Sequence, residues 1–217
     1  VQNLLKKKYF NLKIVLNKKK ITKNIQAESR NVRYDILKRF CLKNDIKVIL
    51  TAHNLEDQVE TFLIRLSRGS GLKGLSAMKS LSKINNQVSL FRPLLDTQKK
   101  FLIKISKTIF GKYVKDPSNK NQKYLRTKVR SLKKPLEKSG IKYEQIFKSI
   151  QNLSQSKITL DEYLSKIFKE SIKMSNGEIL INFKKFKDFN KDTKIAVLNH
   201  SIKQLKSNYY DLRSKKV

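Results

Sequence analysis

Between Thr51 and Thr61 the chain reads Thr-Ala-His-Asn-Leu-Glu-Asp-Gln-Val-Glu-Thr and includes His53, one of only two histidines in 217 residues. Asp57 and Glu60 stand three apart, hence on one face of any helix that carries them. Val59, Phe62, Leu63 and Leu66 recur at helical spacing on another side, so burial in the core does not account for the two acids. A pair of carboxylates there suits an ammonium group or a magnesium ion. The plainer reading is that acids in a first helical turn stabilise it through the macrodipole. The residues alone leave both readings open.

Two further stretches carry chemistry. Arg68-Gly69-Ser70-Gly71-Leu72-Lys73-Gly74 holds three of the six glycines. Glycines let backbone amides turn toward an anion, although a helix C-cap followed by a loop reads the same way. Farther on, Lys123, Arg126, Arg130 and Lys134 fall within about 80° of one another on a helical wheel, opposite Leu125, Val129, Leu132 and Leu136. That basic face is either solvated or laid on phosphates. Eight of the nine arginines lie between Arg30 and Arg130, in a chain that otherwise uses Lys. Sites kept as Arg are those that profit from a planar, bidentate donor.

The elements that must position these residues follow from periodicity. Leu12 to Leu16 and Lys47 to Ala52 read as strands, the second an apolar run suited to a parallel strand buried on both faces. Glu28 to Lys43 and Asp57 to Ser67 read as helices, the latter stopped at Gly69. Gln87 to Leu95 reads as another strand. Strand, helix, strand, helix is the grammar of a parallel α/β sheet, and His53 sits at a strand's carboxyl end, where such sheets bind ligands. From about Gln98 the pattern turns helical. Phe101, Leu102, Ile105 and Ile109 form a helix ending at Gly111, a turn follows at Asp116-Pro117-Ser118-Asn119, and a basic helix runs to about Lys138. Helices near Tyr143 to Leu153, Ile158 to Met174 and Asp192 to Lys206, with a short strand at Glu178 to Phe183, complete the chain. The expected division is residues 1–97, an α/β catalytic part, and 98–217, a helical part that contacts RNA.

Composition narrows the partners. Fifty Lys and Arg against 17 Asp and Glu give a net charge of +33. The excess of Lys over Arg is what an AT-rich genome produces, but the excess of base over acid is not. Such a chain self-repels without a polyanion, which favours nucleic acid. The lone Cys41 excludes a disulfide framework and fits a reducing, cytoplasmic setting. No apolar run reaches the roughly 20 residues of a membrane span.

Taken together, Glu28-Ser29-Arg30-Asn31-Val32-Arg33-Tyr34, the Thr51 to Thr61 segment, Arg65 to Leu75, Arg92-Pro93-Leu94-Leu95, and Asp116 to Asn119 with Arg126 and Arg130 resemble the tRNA(Ile)-lysidine synthases, a branch of the PP-loop ATP pyrophosphatases. The resemblance implies a partial Rossmann-like parallel sheet followed by a mainly helical region. It also implies a reaction. ATP activates C2 of the wobble cytidine of an isoleucine tRNA with a CAU anticodon, and the amine of free L-lysine then displaces AMP. On this resemblance His53, Asp57, Glu60 and Arg33 are catalytic, with Asp57 and Glu60 facing the lysine ammonium or magnesium. Arg68, Gly69, Ser70 and Gly71 line the ATP and lysine pocket. Arg92, Lys123, Arg126, Arg130 and Lys134 contact tRNA.

The family's ATP loop, Ser-Gly-Gly-x-Asp-Ser, and its His-x-Asp-His segment do not occur, and no glycine precedes Gly69. With Val1 as the first residue, the expectation is an N-terminally incomplete sequence, its first strands missing, that does not bind ATP by itself and leaves apolar sheet surface uncovered. Two other readings compete. A thiolation enzyme of the same class would use paired cysteines, which Cys41 alone does not supply. A non-catalytic, basic RNA-binding remnant fits the charge equally well.

Overall fold

Helix α1 spans Ile25–Lys43 in a computed structural model, which describes residues 5, 12–17, 21, 25–114, 123–175 and 177–206. Its Leu37 and Cys41, with Tyr34, pack on Ile49 and Leu90 of a small sheet and on Val88 just before its third strand. That sheet contains β1 (Val48–Leu50), β2 (Leu81–Lys83) and β3 (Ser89–Phe91) in the order β1-β3-β2. β1 and β3 run parallel, with Val48 opposite Ser89. Parallel neighbours need a crossover, and helices α2 (Leu55–Leu66) and α3 (Leu72–Leu75) lie on it. β2 pairs antiparallel with β3. Their hairpin is tied by Asn85, whose Oδ1 accepts from the backbone N–H groups of Gln87 and Val88 at 3.1 and 2.7 Å.

The α/β architecture stands, but three expectations change. Leu12 to Leu16 forms no strand and is exposed throughout, so the neighbour of β1 is β3. The sheet is mixed, because the short Ile84–Val88 connection allows only an antiparallel return. Within Lys47 to Ala52 only one face is buried. Ile49 points into α1, whereas Val48 and Leu50 are 46% and 66% exposed. The register sets Leu50, Phe91 and Leu81 side by side on that open face, giving an apolar row across all three strands.

Helix α4 (Lys99–Phe110) ends where Gly111 takes a φ of 71°, the left-handed turn that glycine adopts without strain. The Asp116 to Asn119 turn lies outside the described residues. The basic stretch forms two short helices, α5 (Leu125–Ser131) and α6 (Lys133–Lys138). Helix α7 (Tyr143–Ser171) is continuous where the sequence reading separated two helices. Within it Ser149, Ser156 and Ser165 donate their hydroxyls to carbonyls four residues earlier, so these polar groups are satisfied inside the helix. Leu55, Val59, Tyr143 and Ile150 form the second core, joined by Phe62, Leu63 and Leu136.

The chain divides into two compact units, Val1–Gln151 and Asn152–Val217. The division falls well beyond residue 97, because α4 and α5 are bonded to α2: the backbone N–H of Lys99 donates to Glu56, and Arg126 and Arg130 donate to its acids. Within the second unit the end of α7 leads into a hairpin of β4 (Ile172–Ser175) and β5 (Glu178–Ile181). Helices α8 (Phe183–Asp188) and α9 (Lys191–Leu205) follow, and the Phe168 ring stacks on His200 at 4.1 Å. No helix of the described residues is long and apolar enough to cross a membrane.

Candidate functional site

Four residues, Thr51 to Asn54, separate the end of β1 from the start of α2, and the first turn of α2 is locked by reciprocal bonds. The Asn54 side chain accepts from the Asp57 backbone N–H, and Asp57 Oδ2 accepts from the Asn54 N–H, both at 3.1 Å. This capping box satisfies two amides that the helix start would otherwise leave open. It also fixes the Asp57 carboxylate at the mouth of a cleft.

That cleft has a volume of about 390 Å³. Helix α1 contributes Arg30, Arg33, Tyr34 and Leu37 to it; the β1–α2 turn contributes Thr51, Ala52 and His53; α2 adds Asp57 and α5 adds Arg126. Of the residues singled out from sequence, the structure thus gathers Arg33, His53, Asp57 and Arg126 in one place. The His53 ring is oriented by a 2.9 Å bond between Nδ1 and Thr51 Oγ1. Burial pushes its pKa below the ordinary 6.5, Asp57 opposes that shift, and Arg92, Arg30 and Arg126 reinforce it. The imidazole is therefore neutral at neutral pH and able to accept a proton.

Behind Asp57 lies an ion cluster. Glu60 is only 2% exposed. Its Oε1 accepts from Arg130 Nε at 2.7 Å, and its Oε2 accepts from Arg130 Nη2 and Arg126 Nε, each at 2.9 Å. Arg126 turns its remaining Nη2 to Asp57 Oδ1 at 2.8 Å. A buried carboxylate demands such partners. The bond to Glu60 is also what holds the Arg130 pKa above its usual range.

This geometry corrects several expectations. Glu60 faces inward, because α5 covers the side of α2 that the periodicity left to solvent. It is saturated by two guanidiniums and is not open to a lysine or a metal. Arg126 bridges Asp57 and Glu60, and among the described residues no three or more His, Cys, Asp or Glu side chains converge as metal ligands. Arg126 and Arg130 are not a free basic face, being bonded to these acids. Arg92 is 7% exposed and donates from Nη1 to Lys79 O at 2.8 Å and Ser82 Oγ at 3.1 Å, which ties β3 to β2 and its lead-in rather than presenting a cation to RNA. Lys123 and Lys134 are exposed and do not line the cleft.

Arg68, Gly69, Ser70 and Gly71 do not line it either. They follow the opposite end of α2, roughly 18 Å from its start at 1.5 Å per residue. Gly69, at a φ of 66°, follows the helix end. Gly74 permits a close approach: a Cβ there would meet Ser70 Cβ at 2.6 Å. Arg65 Nη1 donates to Gly74 O at 2.7 Å and Ala77 O at 2.8 Å, and Gln58 exchanges two 2.8 Å bonds with the Met78 backbone. The loop is thereby bolted along α2. Sequence reasoning missed Gln58 as well as the cleft residues Arg30 and Thr51. Gln58, Phe62 and Arg65 do share one helical stripe, a pattern in which a polar residue on an apolar face signals a buried clasp.

Comparison with known proteins follows the same lines. A solved U34-tRNA thiolase from Methanococcus maripaludis is 22% identical and overlaps 64% of this chain and 47% of its own, with a TM-score of 0.49. The tRNA(Ile)-lysidine synthase of Wolbachia pipientis wMel is 34% identical over 197 residues, 90% of this chain and 46% of that protein. Those of Rickettsia typhi (35% over 205 residues; 92% and 45%) and Orientia tsutsugamushi (37% over 191 residues; 84% and 43%) are similarly related. The chain spans about half the length of the curated relatives it matches. The model of the PP-loop domain matches residues 1–136, which covers the sheet, the cleft and the ion cluster, and the chain belongs to that family.

Proposed function

We propose that the chain serves lysidine synthesis: the ATP-dependent attachment of free L-lysine to C2 of the wobble cytidine of an isoleucine tRNA with a CAU anticodon, in the cytoplasm. The likeness to lysidine synthases supports the reaction. The observation that carries the assignment of parts is the cleft in which Arg30, Arg33 and Arg126 meet His53 and a single reachable carboxylate, Asp57. Guanidiniums are suited to phosphate, from tRNA or nucleotide. A carboxylate is suited to the lysine ammonium, and a neutral imidazole is suited to take the proton that the amine must lose before it attacks.

In this reading the cytidine C2 oxygen attacks the α-phosphorus of ATP and pyrophosphate leaves. The lysine amine then attacks C2 and AMP leaves with the oxygen. Arg30 and Arg33 hold phosphates, Asp57 orients the amine, and His53, steadied by Thr51, accepts its proton. Glu60 acts through Arg126 and Arg130. ATP would bring its magnesium on its own phosphates, and no step here depends on a separate metal site. The Ser-Gly-Gly-x-Asp-Ser loop is not among these 217 residues, and we therefore propose that adenylation requires a protein that carries it.

The test is Asp57→Asn in a protein bearing that loop. Lysine transfer should fall about a hundredfold, the scale of one charge-assisted contact of about 3 kcal/mol. Adenylation, followed as pyrophosphate release, should survive better. Equal loss in both steps would remove Asp57 from lysine recognition, and near-normal transfer would leave it only its helix cap.

A further inference from the structure

Arg126 is bonded to both acids of the cluster, Glu60 through Nε and Asp57 through Nη2, and it is also a wall of the cleft. Arg130 differs. It grips Glu60 with two bonds of its own, one to each oxygen, and does not line the cleft. The consequences of moving each guanidinium are therefore unequal. If Arg126 swings away, Glu60 stays compensated by Arg130, so no buried charge is stranded. Asp57 loses the Arg126 guanidinium and keeps the Asn54 N–H on Oδ2. With Arg126 in place the Asp57 carboxylate is neutralised and has little to offer a cation.

The same cleft presents Arg30 and Arg33, exposed on α1 and without a carboxylate partner among the described residues. A phosphate group drawn there meets Arg126 as a third donor, one third exposed and within the same walls. We propose that Arg126 is an exchange latch: a phosphate entering the cleft takes its guanidinium from Asp57 and so unmasks Asp57 for a cationic ligand. Anion and cation then bind cooperatively through one side chain, with no movement of the fold. The inference rests on the reading of the cleft given above and adds an order to it, phosphate before amine. By linkage, whatever Asp57 does to phosphate binding, phosphate does to the availability of Asp57.

A double-mutant cycle tests this. Binding of an unmodified CAU-anticodon tRNA transcript, and separately of inorganic pyrophosphate, is measured for this chain, Asp57→Asn, Arg126→Gln and the pair. Asp57→Asn frees Arg126, so it should tighten phosphate binding. Part of that gain is simply one less negative charge, and that part persists in the Arg126→Gln background. The latch predicts a gain roughly tenfold larger when Arg126 is present, the scale of one charge-assisted hydrogen bond regained. The ligand showing the excess identifies the source of the phosphate, backbone or nucleotide. Arg126→Lys, which keeps the charge but not the fork, serves as second background should Arg126→Gln unfold, and there too the excess should shrink. Equal gains in both backgrounds would overturn the latch while leaving the proposed function standing. Binding of neither ligand by any variant would overturn the latch as a property of this chain, and the proposed function would then rest on its own test in a protein bearing the loop.

Discussion

The two walls of the cleft carry the same side chain in opposite electrostatic states. On the α1 wall, Arg30 and Arg33 are exposed and lack a carboxylate partner among the described residues; Arg30 only overlies the Tyr34 ring at 5.1 Å. On the α2–α5 side, Arg126 and Asp57 in the wall, with Arg130 and Glu60 behind them, set two positive charges against two negative, and Glu60 is nearly sealed from solvent. A net charge of +33 says nothing of this distribution. The difference teaches that arginine count is a poor map of an anion site. An Arg that closes a buried acid contributes to the fold, and an Arg facing water beside it contributes charge to a ligand.

The largest expected effect falls on the paired wall. Glu60→Gln leaves two guanidiniums competing for a neutral amide and should cost about 3 kcal/mol in urea unfolding, the lower end for a broken buried pair because both arginines are about one third exposed. Arg33→Ala, on the open wall, should stay within about 0.5 kcal/mol of the parent. Similar costs for the two would erase the contrast.

RNA binding should reverse that ranking. The Arg30→Ala, Arg33→Ala double variant should flatten the salt dependence of tRNA affinity by up to about two units in the slope of log K against log salt. Arg130→Ala, once shown to be folded, should leave the slope nearly unchanged, because its charge is already spent on Glu60. A slope insensitive to Arg30 and Arg33 would return the α1 wall to plain solvent.

A smaller effect sits between the walls. Folded His53 releases its proton below the 6.5 of an unfolded imidazole, chiefly through burial. Between the two values the unfolded chain binds more protons, so stability falls as pH drops through that window and is regained above about 6.5. His53→Gln should remove this slope, as read from unfolding midpoints on either side of pH 6.5. If parent and variant lose stability in parallel on acidification, His53 is not the group responsible.

Much of this frame was legible in the residues. Val59, Phe62, Leu63 and Leu66 announced α2, Gly111 the end of α4, and Glu178 to Phe183 a strand, because local periodicity and backbone freedom are properties of neighbouring residues. The placing of His53 and Asp57 at the end of a strand followed for the same reason. The reading of Leu12 to Leu16 as a strand failed because pairing needs a partner as well as a pattern, and β1 found β3 instead. Lys47 to Ala52 was read as buried on both faces, yet α1 covers only the Ile49 side.

The deepest difference concerns Glu60. Its own helix marks it as a polar-face residue, and no periodicity within α2 could say otherwise. What buries it is α5, some 66 residues away along the chain, carrying Arg126 and Arg130 onto it. Sequence alone determined that this chain would present acids, a histidine and arginines near the end of a parallel strand, since residue type and helical spacing suffice for that. Only the tertiary structure decided which acid is sealed by which arginine and which faces the cleft, because pairing of charges distant in sequence depends on the packing of one helix against another.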